Sequence, residues 1–116
     1  MDPVSFLPLS PHQFHILLAL VDRPRHGYAV IQEVEQRTEG ALRLGTGTLY
    51  TAIARLVELQ LIVDAGREHD RRRYYRLTTL GRAVLRAETA RLEALIRHAY
   101  DRGIRPASQP ALPRRP

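Results

Sequence analysis

The segment from residue 45 to residue 61 carries a helical repeat of apolar side chains, and this repeat constrains the fold more than any other feature of the sequence. Apolar positions recur at three- and four-residue spacing: Leu49, Ile53 and Leu56. The spacing predicts an amphipathic helix, with Thr46 as the residue whose hydroxyl caps its N-terminus. The opposite face is small, hydroxylated and uncharged as far as Arg55. A DNA major groove admits a helix of this kind; ordinary packing over a core is the alternative interpretation.

The charged residues favour an anionic partner. The chain of 116 residues has a formal net charge of +6, and all 18 of its basic residues are arginine. An arginine side chain donates two parallel hydrogen bonds to a phosphate or to a guanine edge. The length is that of one domain.

The sequence also excludes several kinds of site. It contains no cysteine, which removes disulfides, thiolate metal sites and cysteine nucleophiles. No apolar run approaches the length of a membrane span and the N-terminus does not follow the order of a signal peptide, so we expect a cytoplasmic protein. No paired carboxylates, nucleophile with a base, or phosphate-binding glycine loop is visible. We therefore expect neither an enzyme nor a cofactor.

A first helix is predicted to begin after an N-terminal lead of residues 1–9. Ser10 is the expected N-cap, and Gln13 is the partner that completes a capping box. The helix is apolar nearly all round as far as Val21. A helix without a polar stripe must be covered on more than one side, and we expect part of that cover to come from a second copy of the chain.

A second helix and a hairpin flank the central amphipathic segment. The second helix is predicted to begin near His26. After the central segment the period changes from that of a helix to that of a strand, and short runs at 61–63 and 73–77 are separated by an arginine-rich stretch with Gly and Asp. This pattern predicts a β-hairpin, with Tyr74 and Tyr75 on opposite faces.

The last helix is predicted over residues 81–102, where leucines repeat with the spacing of a coiled-coil seam and Glu88 is the one polar residue in it. Residues 103–116 are rich in proline and are predicted to be a disordered basic tail, with arginines at 105, 114 and 115. We expect the seam and the first helix to pair with a second copy. The predicted dimer contacts are Leu17, Leu20, Leu85, Leu92, Leu95, Ile96 and Ala99.

Together these elements predict a mainly α-helical chain with a small β-hairpin. Residues 10–80 form a winged helix-turn-helix, and residues 81–102 form a dimerisation helix appended to it. Three motifs in this order resemble the short form of PadR-type transcriptional regulators: HGYAV at 26–30, GTLYTAIARL at 47–56 and RRYYRLTTLG at 72–81. The sequence departs from that pattern at Thr51, where similar proteins often have proline, and at Gln60, where a glycine often precedes the Leu-Ile strand.

The resemblance implies a DNA-binding regulator, a homodimeric repressor of a nearby promoter that a small molecule, often aromatic or toxic, releases from DNA. A two-fold dimer would bind an inverted-repeat operator on double-stranded DNA. Hydroxyls and N–H groups at helix starts would hold phosphates, Arg55 would reach a guanine, and the hairpin arginines would follow the adjacent backbone or enter the minor groove. The residues that the resemblance assigns to DNA are His26, Tyr28, Thr46, Thr48, Tyr50, Thr51, Arg55, Arg71, Arg72 and Arg73.

Two of these assignments have structural alternatives. Tyr50 can point inward with the apolar stripe instead of towards DNA. The arginines at 71–73 can form a solvated loop, with Glu68 and Asp70 as their local partners. Both alternatives leave the fold unchanged.

Two further alternatives concern function. His12 and His15 lie three residues apart on one helix face, as two metal ligands would, but no third ligand is in evidence and we expect no metal site. A winged helix can also bind protein rather than DNA. Failure to bind heparin or genomic DNA at low salt would identify a protein-binding module.

Overall fold

A computed structural model of the chain describes residues 1–107. After a 3₁₀ turn at Pro3–Phe6, the elements are α1 (Pro11–Ala19), β1 (Arg25–His26), α2 (Gly27–Arg37), α3 (Thr46–Glu58), β2 (Ile62–Arg67), β3 (Arg73–Leu77) and α4 (Thr79–Asp101). The predicted mainly helical fold with a small antiparallel sheet is confirmed. Within residues 1–107, no helix combines the length and the apolarity that a membrane crossing requires. The tail arginines at 114 and 115 lie outside the described residues.

Helix α1 is covered by the rest of its own chain. The predicted capping box is present, since the Ser10 hydroxyl accepts from the Gln13 N–H and the Gln13 side chain accepts from the Ser10 N–H. The helix packs against α2, α3 and α4, and Leu17 and Leu20 are buried inside this core. The expectation that these two leucines contact a second copy is corrected, because three helices of the same chain already surround them.

Helix α3 begins one residue earlier than the predicted cap implies. Gly45 is the N-cap, with an extended backbone at φ −72° and ψ 158° and no side-chain cap bond. Thr46 is the first helical residue, so the prediction that its hydroxyl caps the helix is wrong. Its side chain is exposed on the outer surface instead.

The end of α3 explains the glycine that similar proteins often carry at the position of Gln60. This residue has a left-handed backbone, with φ +64°. Its N–H donates to the Val57 carbonyl at 2.9 Å, and the next N–H, of Leu61, donates to the Leu56 carbonyl at 3.0 Å. These two bonds form a Schellman motif, whose left-handed residue is usually glycine.

The sheet has three strands in the order β1-β3-β2, all antiparallel. The β2–β3 hairpin, with its turn at residues 68–72, is the predicted hairpin, and we call it the wing. Ile62 pairs with Leu77 and Asp64 with Tyr75, and the register shifts between Asp64 and Gly66. Strand β1 was not predicted, because two residues are too short to show an alternating pattern; it pairs His26 with Tyr74 and so fixes the start of α2 against the wing.

The first half of α4 belongs to the core. Gly81 is buried, and a Cβ there would lie 2.1 Å from the Leu61 carbonyl oxygen, so the helix packs directly on the chain that leaves α3. Leu85 is also buried within the chain. Its predicted dimer contact is corrected as well, because its side chain packs into the chain's own core.

The second half of α4 leaves the core at a buried carboxylate. Glu88 is 2% exposed; it accepts from the Leu9 N–H at 3.2 Å and from the Arg91 guanidinium at 2.6 and 2.8 Å. Beyond it, Leu95 and Ile96 are 50% and 52% exposed. The remaining predicted contacts on this half are intermediate in burial: Leu92 and Ala99.

Candidate nucleic-acid interface

Helix α3 presents an uncharged, hydroxylated face to solvent. The predicted apolar stripe is buried: Leu49, Ile53 and Leu56. Three residues of the predicted outer face are exposed, Thr48, Thr51 and Arg55; the fourth, Ala52, is intermediate in burial and packs against the core. Arg55 Nη1 donates to Glu58 Oε1 at 2.8 Å on the helix surface. A surface ion pair of this kind contributes little, so the guanidinium can exchange its carboxylate partner for a phosphate or a base edge.

Tyr50 lies at the surface and not in the core. Its side chain is 45% exposed, which rules out the inward alternative. The hydroxyl end of the ring approaches Gly27 so closely that a Cβ on Gly27 would lie 2.2 Å from the hydroxyl oxygen. The absence of a side chain at Gly27 therefore positions the phenol of α3 against the start of α2.

His26 connects the start of α2 to the wing. It is the N-cap of α2, and its Nδ1 accepts from the Ala29 N–H at 3.1 Å. Its Nε2 lies 2.9 Å from Arg72 Nη1, and its ring meets that of Tyr74 edge to face at 5.2 Å. The Arg72 guanidinium also lies 5.9 Å from the centre of the Tyr28 ring, which is exposed.

The three consecutive arginines of the wing have three different environments. Arg71 has a left-handed backbone at φ +68° in the turn, and its side chain is exposed. Arg72 contacts His26, as described. Arg73 forms an ion pair with Asp64 on the neighbouring strand.

Asp70 and Glu68, the two acidic residues expected to pair with the wing arginines in a solvated loop, make other contacts. Asp70 accepts the backbone N–H of Arg72 at 3.0 Å and the hydroxyl of Tyr74 at 3.0 Å, so it shapes the turn and forms no ion pair with the arginine side chains. Glu68 contributes its backbone carbonyl, which accepts the Arg71 N–H at 2.7 Å. The turn is therefore ordered by hydrogen bonds, and the guanidinium of Arg72 contacts His26.

A cavity of about 400 Å³ lies where α2, α3 and the wing meet. Its wall combines phenols, arginines and the His26 ring, and no carboxylate of residues 1–107 lines it. The lining residues are His26, Gly27, Tyr28, Tyr50, Arg67, Arg72, Arg73 and Tyr75. The structure thus brings together five of the residues that the sequence assigned to DNA, and it adds Gly27, Arg67 and Tyr75. Gly27 belongs to the HGYAV motif and Tyr75 to the RRYYRLTTLG motif, whereas Arg67 lies in none of the three motifs.

The electrostatics of the cavity keep its histidine neutral. Burial, followed by the Arg72 guanidinium, lowers the pKa of His26 below its ordinary value of 6.5, and the Asp70 carboxylate only partly opposes this. The hydrogen bond from the Arg72 N–H lowers the pKa of Asp70. At neutral pH the positive charge of the cavity therefore comes from its arginines.

A second, more open groove of about 560 Å³ lies between the start of α1 and the outer face of α3. It is lined by Ser10, His12, Gln13, Gly47, Thr48, Thr51, Ala52 and Arg55. Of the two histidines considered as metal ligands, His12 lines this groove, whereas His15 Nδ1 lies 2.7 Å from Arg37 Nη1.

The comparisons with known proteins agree with this geometry. The family model described as the transcriptional regulator PadR-like family matches residues 16–87. The chain is 37% identical over 92 residues to an uncharacterised protein in a transposon of Streptomyces fradiae, a match that covers 79% of this chain and 26% of that protein. The chain thus spans about a quarter of the length of that relative.

Solved structures share the fold. A transcriptional regulator from Clostridium thermocellum superposes with a TM-score of 0.70 at 24% identity, covering 84% of this chain and all of that one (100%). A PadR-like transcription factor from Bacteroides fragilis has a TM-score of 0.67 at 26% identity, covering 77% of this chain and 86% of that one. The family model matches more than half of the chain, so the chain belongs to the PadR-like family of transcriptional regulators and has their winged-helix DNA-binding fold.

Proposed function

We propose that this protein is a sequence-specific DNA-binding repressor that acts as a homodimer and dissociates from its operator when it binds a small molecule. One observation carries the DNA-binding part: the arginine- and tyrosine-lined cavity joins α2 and the wing directly to α3. The uncharged face of α3 can then enter the major groove while the cavity and the wing hold the backbone beside it.

The exposed half of α4 supports the homodimer. Leu95 and Ile96 are about half exposed, and Tyr100 follows them along the same helix at 37% exposure. An apolar stripe of this kind pairs with a second helix. A two-fold pairing through α4 would place two copies of α3 about 34–36 Å apart, one turn of the duplex, on an inverted-repeat operator.

A groove of about 320 Å³ between α1 and α4 supports the effector. Its wall includes the apolar residues Leu18, Val21 and Leu85 and the charged residues Arg82, Arg86 and Glu93. The volume lies in the range of small-ligand pockets, and the apolar part of the wall fits a small aromatic molecule. A molecule bound there would contact the helix that leads into the proposed dimer stripe.

Selection of bound fragments from random and genomic DNA tests the proposal. We expect enrichment of an inverted repeat, and a reporter gene placed behind that sequence should be repressed. Arg55→Ala should weaken operator binding by about 1–3 kcal/mol and relax the preference at one base pair. Arg102→Ala, which removes the same charge at the C-terminal end of α4, is the matched control. No enrichment, together with no binding to heparin at low salt, would instead indicate a protein-binding module.

A further inference from the structure

The contacts of His26 contain a mismatch between hydrogen-bond donors and acceptors. One ring nitrogen, Nδ1, lies 3.1 Å from the Ala29 backbone N–H. The other, Nε2, lies 2.9 Å from Arg72 Nη1. A backbone N–H and a guanidinium can only donate, so both nitrogens of one imidazole face donors.

A neutral imidazole accepts at one nitrogen only, because the other carries the proton. If Nδ1 accepts from Ala29 and so caps α2, Nε2 carries hydrogen and meets the Arg72 N–H as a second donor. If Nε2 accepts from Arg72, the cap of α2 is lost. Neither tautomer satisfies both contacts, whereas an anionic oxygen placed beside Nε2 and Nη1 would accept from both.

The surroundings supply no such oxygen from the protein. Within residues 1–107, Arg72 forms no ion pair with a carboxylate, and no carboxylate lines the cavity that opens beside it. Arg73 is already paired with Asp64, and Arg67 donates to the Arg71 carbonyl. The unmatched donors of His26 and Arg72 therefore face an open cavity whose other polar groups are mainly phenols and guanidinium groups.

We propose that His26 and Arg72 together bind one phosphodiester of the DNA backbone, with the Nε2–H and the guanidinium donating to the same phosphate group. The inference rests on the proposed DNA binding and identifies one contact within it. The bound phosphate fixes the tautomer that also caps α2. Recognition of this phosphate is thus coupled to the start of the helix that precedes α3.

The position of the histidine agrees with this role. Helix N-caps favour Ser, Thr, Asp and Asn. None of these has a ring N–H on the far side of the capping atom, as histidine has at Nε2. Burial and Arg72 lower the pKa of His26, so at neutral pH the ring is an uncharged donor. Strand β1 holds its backbone against Tyr74 of the wing, which keeps the ring beside Arg72.

His26→Asn separates the two functions of the residue. Asparagine caps helices well, so the melting temperature should stay nearly unchanged, but its short side chain cannot replace the Nε2–H. A hydrogen bond to a charged group is worth roughly one to two factors of ten in affinity. We therefore expect binding about tenfold weaker, both on the selected operator and on an unrelated duplex, since a backbone contact carries no sequence information.

Two further measurements show whether His26 and Arg72 share one phosphate. In a double-mutant cycle with Arg72→Gln, the double variant should bind nearly as well as the weaker single variant, because the second change removes a contact already lost. In operators carrying a single neutral methylphosphonate at successive positions, one position should weaken the parent protein about tenfold and leave the double variant, which lacks both donors, unaffected.

The outcomes separate this inference from the proposed function. A parent protein that binds no duplex contradicts both. A parent that binds its operator, with His26→Asn binding equally well or with fully multiplicative effects of the two substitutions, contradicts the phosphate contact alone. Inorganic phosphate that displaces the operator at millimolar concentration, when chloride of equal ionic strength does not, would show a site for a free anion and would overturn the assignment to the DNA backbone.

Discussion

Helix α1 and the second half of α4 both carry apolar side chains, but these side chains have opposite surroundings. Leu17 in α1 is completely buried within its own chain, whereas Ile96 in α4 is about half exposed. Both segments were expected to contact a second copy. The difference shows that an apolar pattern establishes that a helix must be covered, but not which chain covers it.

The local geometry decides between the two outcomes. Helix α1 packs against α2, α3 and α4, and its residues Ile16, Leu17 and Ala19 are buried there. Helix α4 has 23 residues, and its first half alone contributes buried residues to the core. In the second half, residues 89–101, every residue is exposed or of intermediate burial.

The largest expected effect comes from shortening a side chain in the enclosed helix. Leu17→Ala should destabilise the fold by about 2–5 kcal/mol, because it removes buried methyl groups and leaves a cavity. Since the cavity lies inside one chain, the loss should be the same at low and high protein concentration. Urea unfolding at several concentrations measures it.

Leu95→Ala is the control for that experiment, because it makes the same chemical change on the exposed half of α4. At concentrations where the protein is monomeric it should cost less than about 0.5 kcal/mol. A Leu17→Ala loss that disappears on dilution would mean that α1 does contact a second copy.

The next effect concerns the exposed half of α4. Ile96→Glu should leave the stability of the monomer nearly unchanged and abolish dimerisation, because two carboxylates would meet in an apolar interface. Operator affinity should fall at least a hundredfold, since one half-site must then be bound alone. Sedimentation and operator binding on the same samples measure both quantities.

His98→Glu is the matched control on the same helix. It also adds one negative charge, but two residues further on the side chain points to nearly the opposite face. It should therefore remain dimeric. An Ile96→Glu protein that stays dimeric and protects the whole operator would contradict pairing through this stripe.

Much of the fold could be predicted because its signals are local. The capping box at Ser10 and the apolar stripe of α3 each depend on residues within one or two turns of each other. Burial against distant parts of the chain is not local. For that reason the placement of Leu17, Leu20 and Leu85 in the chain's own core could not be read from their spacing.

The residues of the candidate site also fall into two groups, those that local motifs identify and those that only the folded chain brings together. Tyr28, Tyr50 and Arg72 were identified from motifs, and all three line the cavity. Arg67 was missed, because it reaches the cavity only through the register of β2 on β3. The close approach of Tyr50 to Gly27 joins α3 to α2, and no sequence pattern specifies such a contact.

A smaller effect is expected at Glu88, the last buried residue of α4 before its exposed second half. Glu88→Gln keeps an acceptor for the Leu9 N–H but removes the charge that faces Arg91, so we expect a loss of about 1–3 kcal/mol. Glu93→Gln, at an exposed position on the same helix, should change the stability by no more than about 0.5 kcal/mol. Thermal unfolding at neutral pH measures the difference.

The pH dependence gives this prediction a second readout. The hydrogen bonds from Arg91 are the largest cause that lowers the pKa of Glu88 below its ordinary value of 4.5. A carboxyl with a lowered pKa in the folded state contributes stability above its unfolded pKa and loses it as the pH falls through the folded value. The stability difference between the parent and Glu88→Gln should therefore be constant above about pH 5.5 and shrink below pH 4.5. A difference that does not change with pH would contradict the charged contact.

The smallest expected effect is a gain in stability at the end of α3. Gln60 has φ +64°, a conformation that costs a residue with a side chain about 1–2 kcal/mol. Gln60→Gly removes this cost, although the greater freedom of glycine in the unfolded chain offsets part of the gain. The net stabilisation should be about 0.5–1 kcal/mol, which corresponds to roughly 2–6 °C in melting temperature. Gln60→Ala is the control, because alanine also has a side chain and should give no gain. The Schellman bonds close within one chain, so the gain should persist in the Ile96→Glu background; a gain that depends on dimerisation would place residue 60 among the contacts between copies.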